Sequence, residues 1–316
     1  MLSRMVRALA AFALLFTVGT AHADTLEGEP DLVSVDVNRG YAFAVGKGGA
    51  IYSKKIKKGE WHAHRKTTQS DLLSVSVVNR KDVWVVGIGG MFIHFDGEQW
   101  VSPGGETSSS FRAVALRDRR RGIAVGDRGA VRQYVTDSWQ SFHAMLKKPT
   151  LYAIARVGRG RAERYVAVGA QGSAVAFAGI GASLSADIEI TGSKQDLVAI
   201  DACASSKAEA VAVGAVAALR GKTGKWSELP APPEPLTGVA VECKRGAVTR
   251  VFATGASGVS VYDADAKEWT SRTIEGVGDG AGALSDIDWV DRKRLIVVGA
   301  GGVAEIIDSN VSVESE

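Results

Sequence analysis

The amino-acid sequence predicts an all-β fold, a seven-bladed β-propeller with four antiparallel strands in each blade. Three features predict it: an alternating apolar segment that returns every 39 to 48 residues, a glycine-containing turn after it, and in most copies a tryptophan after that turn. A repeat of about 40 residues with four strands is the signature of a propeller blade. Seven copies suit a closed ring, in which each sheet covers the apolar faces of its neighbours.

The first strand of each copy, strand a, begins with a large apolar residue. In the second copy it reads Leu-Leu-Ser-Val-Ser-Val from Leu72 to Val77. Such short runs of β-branched residues, bounded by turn-forming residues, predict strands rather than helices. The seven copies begin near Leu32, Leu72, Phe111, Leu151, Leu197, Leu236 and Leu284.

Strands b and c follow, with a glycine-rich turn between them. Strand b is typified by Val83–Val86 and strand c by Met91–Phe95. The intervening V-G-x-x-G pattern predicts a tight hairpin with two residues in the turn, for which glycine supplies positive φ without strain. In the fifth copy Ala217 replaces the closing glycine, so we expect an irregular turn there.

Strand d carries the tryptophan, which we expect to be buried between blades. It occurs at Trp61, Trp100, Trp139, Trp226 and Trp269, whereas copies four and seven lack it. The ring must also be sealed, and strand c of the seventh copy ends near Ile307. Two segments are candidates for strand d of that copy: Val311 to Glu314, as a C-terminal hairpin, and Thr25 to Glu29, which would join the first and last blades.

The first 23 residues predict a signal peptide. Arg4 and Arg7 form a positive start, Ala8 to Val18 is an apolar segment, and Ala21-His22-Ala23 is a small-x-small cleavage site. The apolar segment is too short for a bilayer of about 30 Å. We expect cleavage near Ala23, leaving residues 24–316 as one soluble propeller in the periplasm or secreted.

The charge is distributed unevenly over an almost neutral chain. All a–b loops lie on one face of a propeller because strands alternate in direction, and here these loops hold 18 Lys/Arg against 5 Asp/Glu. Blades three and four are richest. Their candidate partner-binding residues are Arg117, Arg119, Arg120, Arg121, Arg156, Arg159, Arg161 and Arg164.

This basic face is interpreted as a docking surface for an acidic protein segment or a membrane-associated protein complex, because arginine forks pair with carboxylates. Anionic lipid headgroups are a second candidate partner. No nucleic-acid partner is expected for an exported protein. The alternative interpretation, a set of solvated loops, remains open.

Two cysteines occupy corresponding positions of adjacent copies. Cys203 and Cys243 each follow strand a, and the predicted export places them in a compartment where disulfides persist. We predict a disulfide between blades five and six. A metal site is not predicted, because no histidine lies near either cysteine in sequence.

No catalytic or cofactor-binding constellation is predicted. His62 and His64 alternate along a strand, but no third metal ligand accompanies them, so we interpret them as surface histidines. A sialidase would require arginines on the inner strands with a tyrosine nucleophile, whereas the arginines here lie mostly in loops. The chain is therefore predicted to be no enzyme and to bind no cofactor.

The repeat pattern L-x-x-V…V-G-x-x-G…D-G-x-x-W resembles two groups of propellers. It is clearest from Leu72 to Trp100, where it ends in Asp96-Gly-Glu-Gln-Trp100. It resembles the photosystem II assembly and stability factors and, more broadly, Asp-box (bacterial neuraminidase-like) repeats. The first resemblance implies a non-catalytic scaffold or assembly factor, without naming its partner. The second implies the alternative, a glycosidase or lyase with its site at the channel mouth.

Overall fold

The computed structural model describes residues 18–24, 26, 31–57, 59–102, 108–143, 148–206, 208–272, 283–300 and 302–308. In these residues the strands form seven sheets, each with four antiparallel strands. The seven-bladed propeller predicted from the sequence is confirmed. The only helices in the described residues are 3-10 turns of three residues, and none has the length and apolar character needed to cross a membrane.

In chain order the strands are β1 (Val18–Asp24), β2 (Leu32–Asn38), β3 (Tyr41–Gly46), β4 (Ile51–Lys55), β5 (His62–Ala63), β6 (Leu72–Asn79), β7 (Asp82–Gly87), β8 (Phe92–Phe95), β9 (Trp100–Val101), β10 (Phe111–Asp118), β11 (Arg121–Gly126), β12 (Val131–Val135), β13 (Ser138–Ser141), β14 (Leu151–Val157), β15 (Arg164–Gly169), β16 (Ser173–Ala178), β17 (Ser185–Ile190), β18 (Leu197–Ala202), β19 (Ala210–Gly214), β20 (Ala217–Arg220), β21 (Trp226–Glu228), β22 (Leu236–Lys244), β23 (Ala247–Gly255), β24 (Gly258–Asp263), β25 (Glu268–Arg272), β26 (Leu284–Trp289), β27 (Arg294–Gly299) and β28 (Gly302–Asp308). The 3-10 turns are Lys47–Gly49, Ile88–Gly90, Asp127–Gly129, Gly160–Ala162, Ala170–Gly172 and Gly181–Ser183.

Each blade consists of four successive strands, except the last. Blades 1 to 6 are β2–β5, β6–β9, β10–β13, β14–β17, β18–β21 and β22–β25, and blade 7 is β26–β28 with β1. The inner strands, β2, β6, β10, β14, β18, β22 and β26, pack side by side around the axis. They begin at the seven apolar residues that open the sequence repeats.

The apolar core lies between the blades. In blade 2 every residue of β7 is buried, because both faces of that sheet are covered by neighbouring blades. The strand-d tryptophans pack into these interfaces but are half-buried rather than fully buried. Trp139 of blade 3, for example, lies against Trp84 and Phe92 of blade 2, with ring centroids 5.4 Å and 4.7 Å apart. Aromatic pairs at such distances add about 0.5–1.5 kcal/mol each beyond the area that they bury.

The inner strands are connected around the axis by side chains. A small polar residue at the third or fifth position of one inner strand accepts a hydrogen bond from a backbone N–H of the next blade's inner strand. The pairs, acceptor first, are Asp286–Val35, Asp288–Val37, Asp36–Val77, Ser74–Val114, Ser76–Leu116 and Asp201–Val241, at 2.6 to 3.2 Å. We call these contacts the axial latches.

At two junctions between blades where alanine or glycine occupies those positions, the hydrogen bond runs in the opposite direction. There a side chain of the following blade donates to a backbone carbonyl oxygen of the preceding blade. Between blades 3 and 4, the Arg156 guanidinium donates to the carbonyl oxygen of Leu116 at 3.1 Å. Between blades 6 and 7, the Trp289 indole N–H donates to the carbonyl oxygen of Val241 at 3.0 Å. Leu116 and Val241 occupy the same position of their strands, so the two contacts are equivalent.

On the opposite face, the residue before strand a connects the b–c turns of two blades. Ser110 accepts the Asp127 N–H of its own blade through its carbonyl oxygen at 3.0 Å. Its hydroxyl accepts the Gly89 N–H of the preceding blade at 3.3 Å. Asp71, Thr150 and Asp196 make the corresponding side-chain contacts at 2.8 to 3.4 Å.

This arrangement explains the first glycine of V-G-x-x-G differently from the sequence prediction. Gly126 has an extended φ of −170° and therefore needs no left-handed conformation. It is required because a Cβ there would collide with the carbonyl oxygen of Ser110. Positive φ occurs instead at the second and third turn residues, such as Gly89 and Gly90 at 70° and 75°. In blades 1 to 4 the turn is a 3-10 turn of three residues rather than two, whereas in blades 5, 6 and 7 only two residues connect strands b and c.

The ring is closed from the N-terminus. β1 pairs antiparallel with β28, from Ala21 opposite Ile306 to Asp24 opposite Val303, and supplies the fourth strand of blade 7. The two segments considered from the sequence do not form this strand in the described residues. Only Leu26 of Thr25 to Glu29 is described, and it belongs to no strand, while Val311 to Glu314 lies outside the described residues. β1 overlaps the predicted signal peptide, so cleavage near Ala23 would remove most of this strand.

The collision at the first turn glycine gives a prediction. We expect Gly126→Ala to lower the free energy of unfolding on the order of 3 kcal/mol, because the Ser110 carbonyl must move and its contact with Asp127 is strained. Gly89→Ala is the matched control. It has positive φ but open space around its Cβ, so it should cost only about 1 kcal/mol. Urea unfolding measures both, and equal losses would contradict the close-approach explanation.

The N-terminal closure gives a second prediction. A chain that begins at Asp24 leaves β28 as an open edge, so its melting temperature should be a few degrees lower than that of a chain beginning at Val18. Backbone amides of Gly302–Asp308 should also exchange faster with deuterium. Identical exchange in the two chains would show that β1 does not close the ring. Mass spectrometry of the protein purified from its host would establish which of the two N-termini the cell produces.

Candidate functional site

An axial channel of about 750 Å³ runs through the ring, lined by the inner strands. Asp36, Asp201 and Asp288 occupy the same position of their strands, the fifth, and so lie at one level of the channel. Asp286 lies two residues before Asp288. These carboxyl groups are the acceptors of four of the axial latches.

Burial raises the pKa of every one of these channel carboxyls. The pKa rises to about 6 for Asp36 and Asp201 and to about 7 for Asp286, although hydrogen bonds from backbone amides oppose the rise. The pKa of Asp288 is raised well above its usual value by burial and by the nearby carboxyls of Asp36 and Asp201. The channel therefore holds four acids with raised pKa values, which for Asp36, Asp201 and Asp286 are about 6 to 7.

These acids are engaged in structural contacts. In Asp201, one carboxylate oxygen accepts the N–H of Ala202 and the other accepts that of Val241. Asp286 and Asp288 are held in the same two-sided way. A general acid or base in a glycosidase needs a carboxyl oxygen directed at the substrate, whereas both oxygens of Asp201, Asp286 and Asp288 are already bonded to backbone amides.

The inner strands also carry three arginines, Arg112, Arg117 and Arg156, and Tyr152, which do not converge. Arg112 is the second residue of β10, pairs with Asp127, and lies over the Tyr152 ring at 5.4 Å. Tyr152 in turn donates to Asp196 at 3.3 Å. Arg156 is the sixth residue of β14 and so lies near the opposite end of the channel. No site of the sialidase type is assembled by these residues.

The basic face is built from tight a–b turns, which hold their charged residues at the tips. Asn79 and Asp118 each accept, through the side chain, the N–H of the residue two positions on, at 2.9 and 3.0 Å. Such Asx turns fix the loop locally. In blades 1 and 6 the tips are Arg39-Gly40 and Arg245-Gly246, with positive φ at both residues, as in type I′ hairpin turns.

Several of the predicted docking arginines are held by acids of the same face. Glu163, whose side chain is only 7% exposed, lies 3.0 Å from the Arg156 guanidinium and 3.3 Å from that of Arg117. Arg121 pairs with Asp118. Burial acts to raise the pKa of Asp118, but the hydrogen bonds from Arg121 and the Arg120 amide outweigh it and lower that pKa. The buried hydroxyl of Tyr165 lies beside this cluster and has no hydrogen-bond partner among the described residues. Burial raises the pKa of this hydroxyl.

The other arginines of blades 3 and 4 are more exposed. Arg119 lies 3.7 Å from Asp82, with its side chain 66% exposed. Arg164 donates to the Glu163 carbonyl oxygen at 3.1 Å. Arg120 and Arg159 are exposed, whereas the side chain of Arg161 lies outside the described residues. The predicted residues thus include a group paired with acids of the same face, with side chains 34–40% exposed, and a few tips without an ion pair in the described part of the chain.

Exposed basic residues without an ion pair in the described part of the chain surround the channel mouth on this face. They come from six of the seven blades: Arg39, Arg80, Lys81, Arg120, Arg159, Arg245, Arg292 and Lys293. We call this set the basic ring. The predicted concentration of charge on blades 3 and 4 is reduced by internal pairing, so the exposed charge is spread around the mouth.

The remaining sequence-predicted residues have structural surroundings. Cys203 and Cys243 are joined in a disulfide between blades 5 and 6, with Cα atoms 5.8 Å apart. His64 lies between aromatic rings and bonds to Ser53 at 2.8 Å, while His62 is exposed. Within the described residues, no three histidine, cysteine or acidic side chains are grouped to hold a metal.

The sequence reasoning missed the channel aspartates, Glu163 and the Asp82–His94 pair. His94 bonds to Asp82 at 2.8 Å and stacks on Trp84 at 4.3 Å. A signal for the aspartates was available, because aligning the seven inner strands places Asp36, Asp201 and Asp288 in one column. The pairing of Glu163 had no such signal, since it depends on how two blades face each other.

Solved propeller structures are similar to this chain over nearly its full length. One, described as "YCF48 bound to D1 peptide", has a TM-score of 0.70 and 13% identity, and the match covers 93% of this chain and 100% of the other. The WD40 propeller domain of Doa1 has a TM-score of 0.70 and 11% identity, with 94% and 98% covered. At such identities the likeness establishes a shared fold. No protein-family model and no curated protein matches the sequence.

The raised pKa of Asp286 predicts a pH-dependent stability. In the unfolded chain this carboxyl has a pKa near 3.8, and in the folded chain near 7. Its contribution to stability is therefore complete below about pH 4 and is lost as the pH rises through 7. Asp286→Asn removes this loss of stability. The melting temperature of the variant minus that of the unaltered protein should therefore increase as the pH is raised from 5 to 8.

Asp96→Asn is the control for this experiment, because Asp96 is an exposed turn residue. Hydrogen bonds from the backbone amides of Gln99 and Glu98 lower its pKa. Its melting temperature relative to the unaltered protein should stay constant over the same range. A constant difference for Asp286→Asn as well would show that Asp286 is ionised throughout the range.

Proposed function

We propose that this chain is a non-catalytic scaffold or assembly factor, exported from the cytoplasm, that holds an acidic protein segment on its basic ring. The basic ring is the observation that carries the proposal. Its members come from most of the blades yet lie on one face, and the short turns beneath them fix their positions. Arranged guanidinium and ammonium groups attract a carboxylate-rich segment and pair with it.

The paired arginines beside the ring support this role indirectly. Glu163 neutralises charge that Arg117 and Arg156 would otherwise concentrate at the blade 3–4 junction, and it holds both side chains in place. The exposed tips beside them are consequently presented on a rigid base. Binding then costs less conformational entropy than it would on flexible loops.

The similar structures are in line with a protein partner. One of them, YCF48, is described as bound to a D1 peptide. The repeat pattern of this chain resembles the photosystem II assembly and stability factors, the group to which YCF48 belongs. We propose by analogy a segment of a membrane-associated protein complex as the partner. Anionic lipid headgroups carry similar charge, and the test below separates the two.

The prediction is that exposed basic tips, rather than total charge, determine binding. We expect Arg120→Glu with Arg159→Glu to weaken binding of a labelled peptide of about fifteen residues rich in glutamate at least tenfold, at an ionic strength of about 0.15 M. Arg80→Glu with Arg245→Glu should weaken it similarly, because the ring is spread over the blades. Fluorescence anisotropy measures the dissociation constants.

The control makes the same charge change on the opposite face, as Arg65→Glu with Arg128→Glu, and should leave binding almost unchanged. Equal weakening in all three variants would show a general charge effect and contradict a docking site at the ring. Binding to vesicles containing phosphatidylglycerol, without binding to the peptide, would identify the partner as lipid and overturn the protein-segment proposal.

A further inference from the structure

The outer strand of blade 4 differs from the other outer strands. β17 has six residues, whereas the outer strands of blades 1, 2, 3, 5 and 6 have two to five, and only β1 of blade 7, with seven, is longer among the described outer strands. It is the edge of its sheet, paired with β16 on one side only. It also belongs to a copy that lacks the strand-d tryptophan.

The two faces of β17 have opposite character. Glu189 is directed at blade 5, where it accepts hydrogen bonds from Arg220 at 2.7 Å and from the Trp226 indole at 2.8 Å. The other face carries Ala186, Ile188 and Ile190, since residues two apart share a face. Ala186 packs against the core between blades 3 and 4. The isoleucines that continue this apolar face are 63% and 85% exposed.

A groove of about 340 Å³ lies beside these isoleucines. Val175 and Ala174 of β16 form its floor, Ile188 and Ile190 one side, and Pro149 another part of the wall. Its apolar surface is continuous with the core through Val175. The groove has room for apolar side chains presented by a neighbouring strand.

Apart from its two acidic side chains, β17 lacks the devices that protect sheet edges. Its sequence, Ser-Ala-Asp-Ile-Glu-Ile, contains no proline or lysine, and its pairing with β16 runs without a bulge from Ser185 to Ile190. In an antiparallel strand, half of the backbone N–H and C=O groups face away from the paired neighbour. A long, regular, partly apolar edge of this kind is a template for another strand.

We propose that β17 is a docking edge, to which an extended partner segment with alternating apolar and basic residues adds as a fifth strand of blade 4. The apolar side chains of the segment pack beside Ile188 and Ile190 and enter the groove. Its basic side chains lie on the other face, opposite Asp187, which is exposed, whereas Glu189 on that face is already paired with Arg220. Cross-strand pairs of opposite charge and of β-branched residues stabilise such an addition.

A second copy of this chain fits the edge poorly. Two β17 strands related by a twofold axis pair antiparallel, with residues of the same face opposite each other. In any register with substantial overlap, Asp187 then faces Asp187 or Glu189 of the other copy, or Glu189 faces Glu189. Directly opposed like charges destabilise a strand pair, so the charges of the edge select a basic partner.

The test uses a capped peptide of about eight residues in which valine and lysine alternate. We expect it to bind the full chain, to slow deuterium exchange of the outward-facing amides of β17, and to lose binding when alternate residues are N-methylated. Ile188→Thr with Ile190→Thr keeps β-branched residues in the strand but removes the apolar contact. Both this variant and Asp187→Lys should weaken binding at least tenfold.

Val101→Thr is the matched control, because Val101 is an exposed β-branched residue on the outer strand of blade 2. It should leave the affinity unchanged, and unaltered melting temperatures would show that all variants fold. Equal affinity of the isoleucine variant and the unaltered protein would overturn the proposal, as would equal binding of a valine–glutamate peptide. Self-association that the isoleucine variant abolishes would also overturn it, in favour of a second copy.

Discussion

The constraint on which this ring depends is the free edge of each inner strand. A blade ends at the axis in a strand with no further strand to pair with, so half of its backbone amides face the neighbouring blade or the channel. Buried amides without a partner are costly. The axial latches satisfy several of them with a side chain from the neighbouring blade, and they thereby set the spacing of adjacent sheets.

The acidity of the channel follows from this constraint. An aspartate side chain is long enough to accept a hydrogen bond from the amide of the next inner strand, whereas a serine makes a weaker contact and an alanine makes none. Closing the ring places several such aspartates at one level of the channel. Mutual repulsion and burial then raise their pKa values. A channel lined by carboxyls of shifted pKa has the outward features of an active site. Here each shift has a structural cause, which directs attention from the channel to the loops.

How much could be predicted from the sequence depends on whether a feature repeats. The seven inner strands and their turns recur along the chain, so their alternation and glycines predicted the blades. The role of Gly126 was misassigned because a positive φ and a close approach to a carbonyl require the same residue, and only the fold distinguishes them. The closing strand β1 repeats nothing, and its pairing with β28 spans almost the whole chain.

The candidate site was predicted less completely, for a physical reason. Counting charges in loops identified the face that carries the basic ring but could not separate Arg117, which Glu163 neutralises, from Arg120, which remains exposed. That distinction depends on contacts between blades, which neighbouring positions in sequence do not report. The exposed isoleucines of β17 were missed likewise, since Asp-Ile-Glu-Ile alternates as any outer strand does.

The two proposed surfaces have opposite requirements, which argues that they serve different segments. The basic ring surrounds the channel mouth on the a–b face and attracts carboxylates. The edge of β17 lies on the outer rim and presents Asp187 and Glu189 beside an apolar groove. A segment rich in acids would be repelled at the rim, and an alternating apolar and basic segment would be repelled at the ring. Because the axial latches and the disulfide hold the blades in fixed positions, binding at one surface need not disturb the other, as a scaffold for two segments requires.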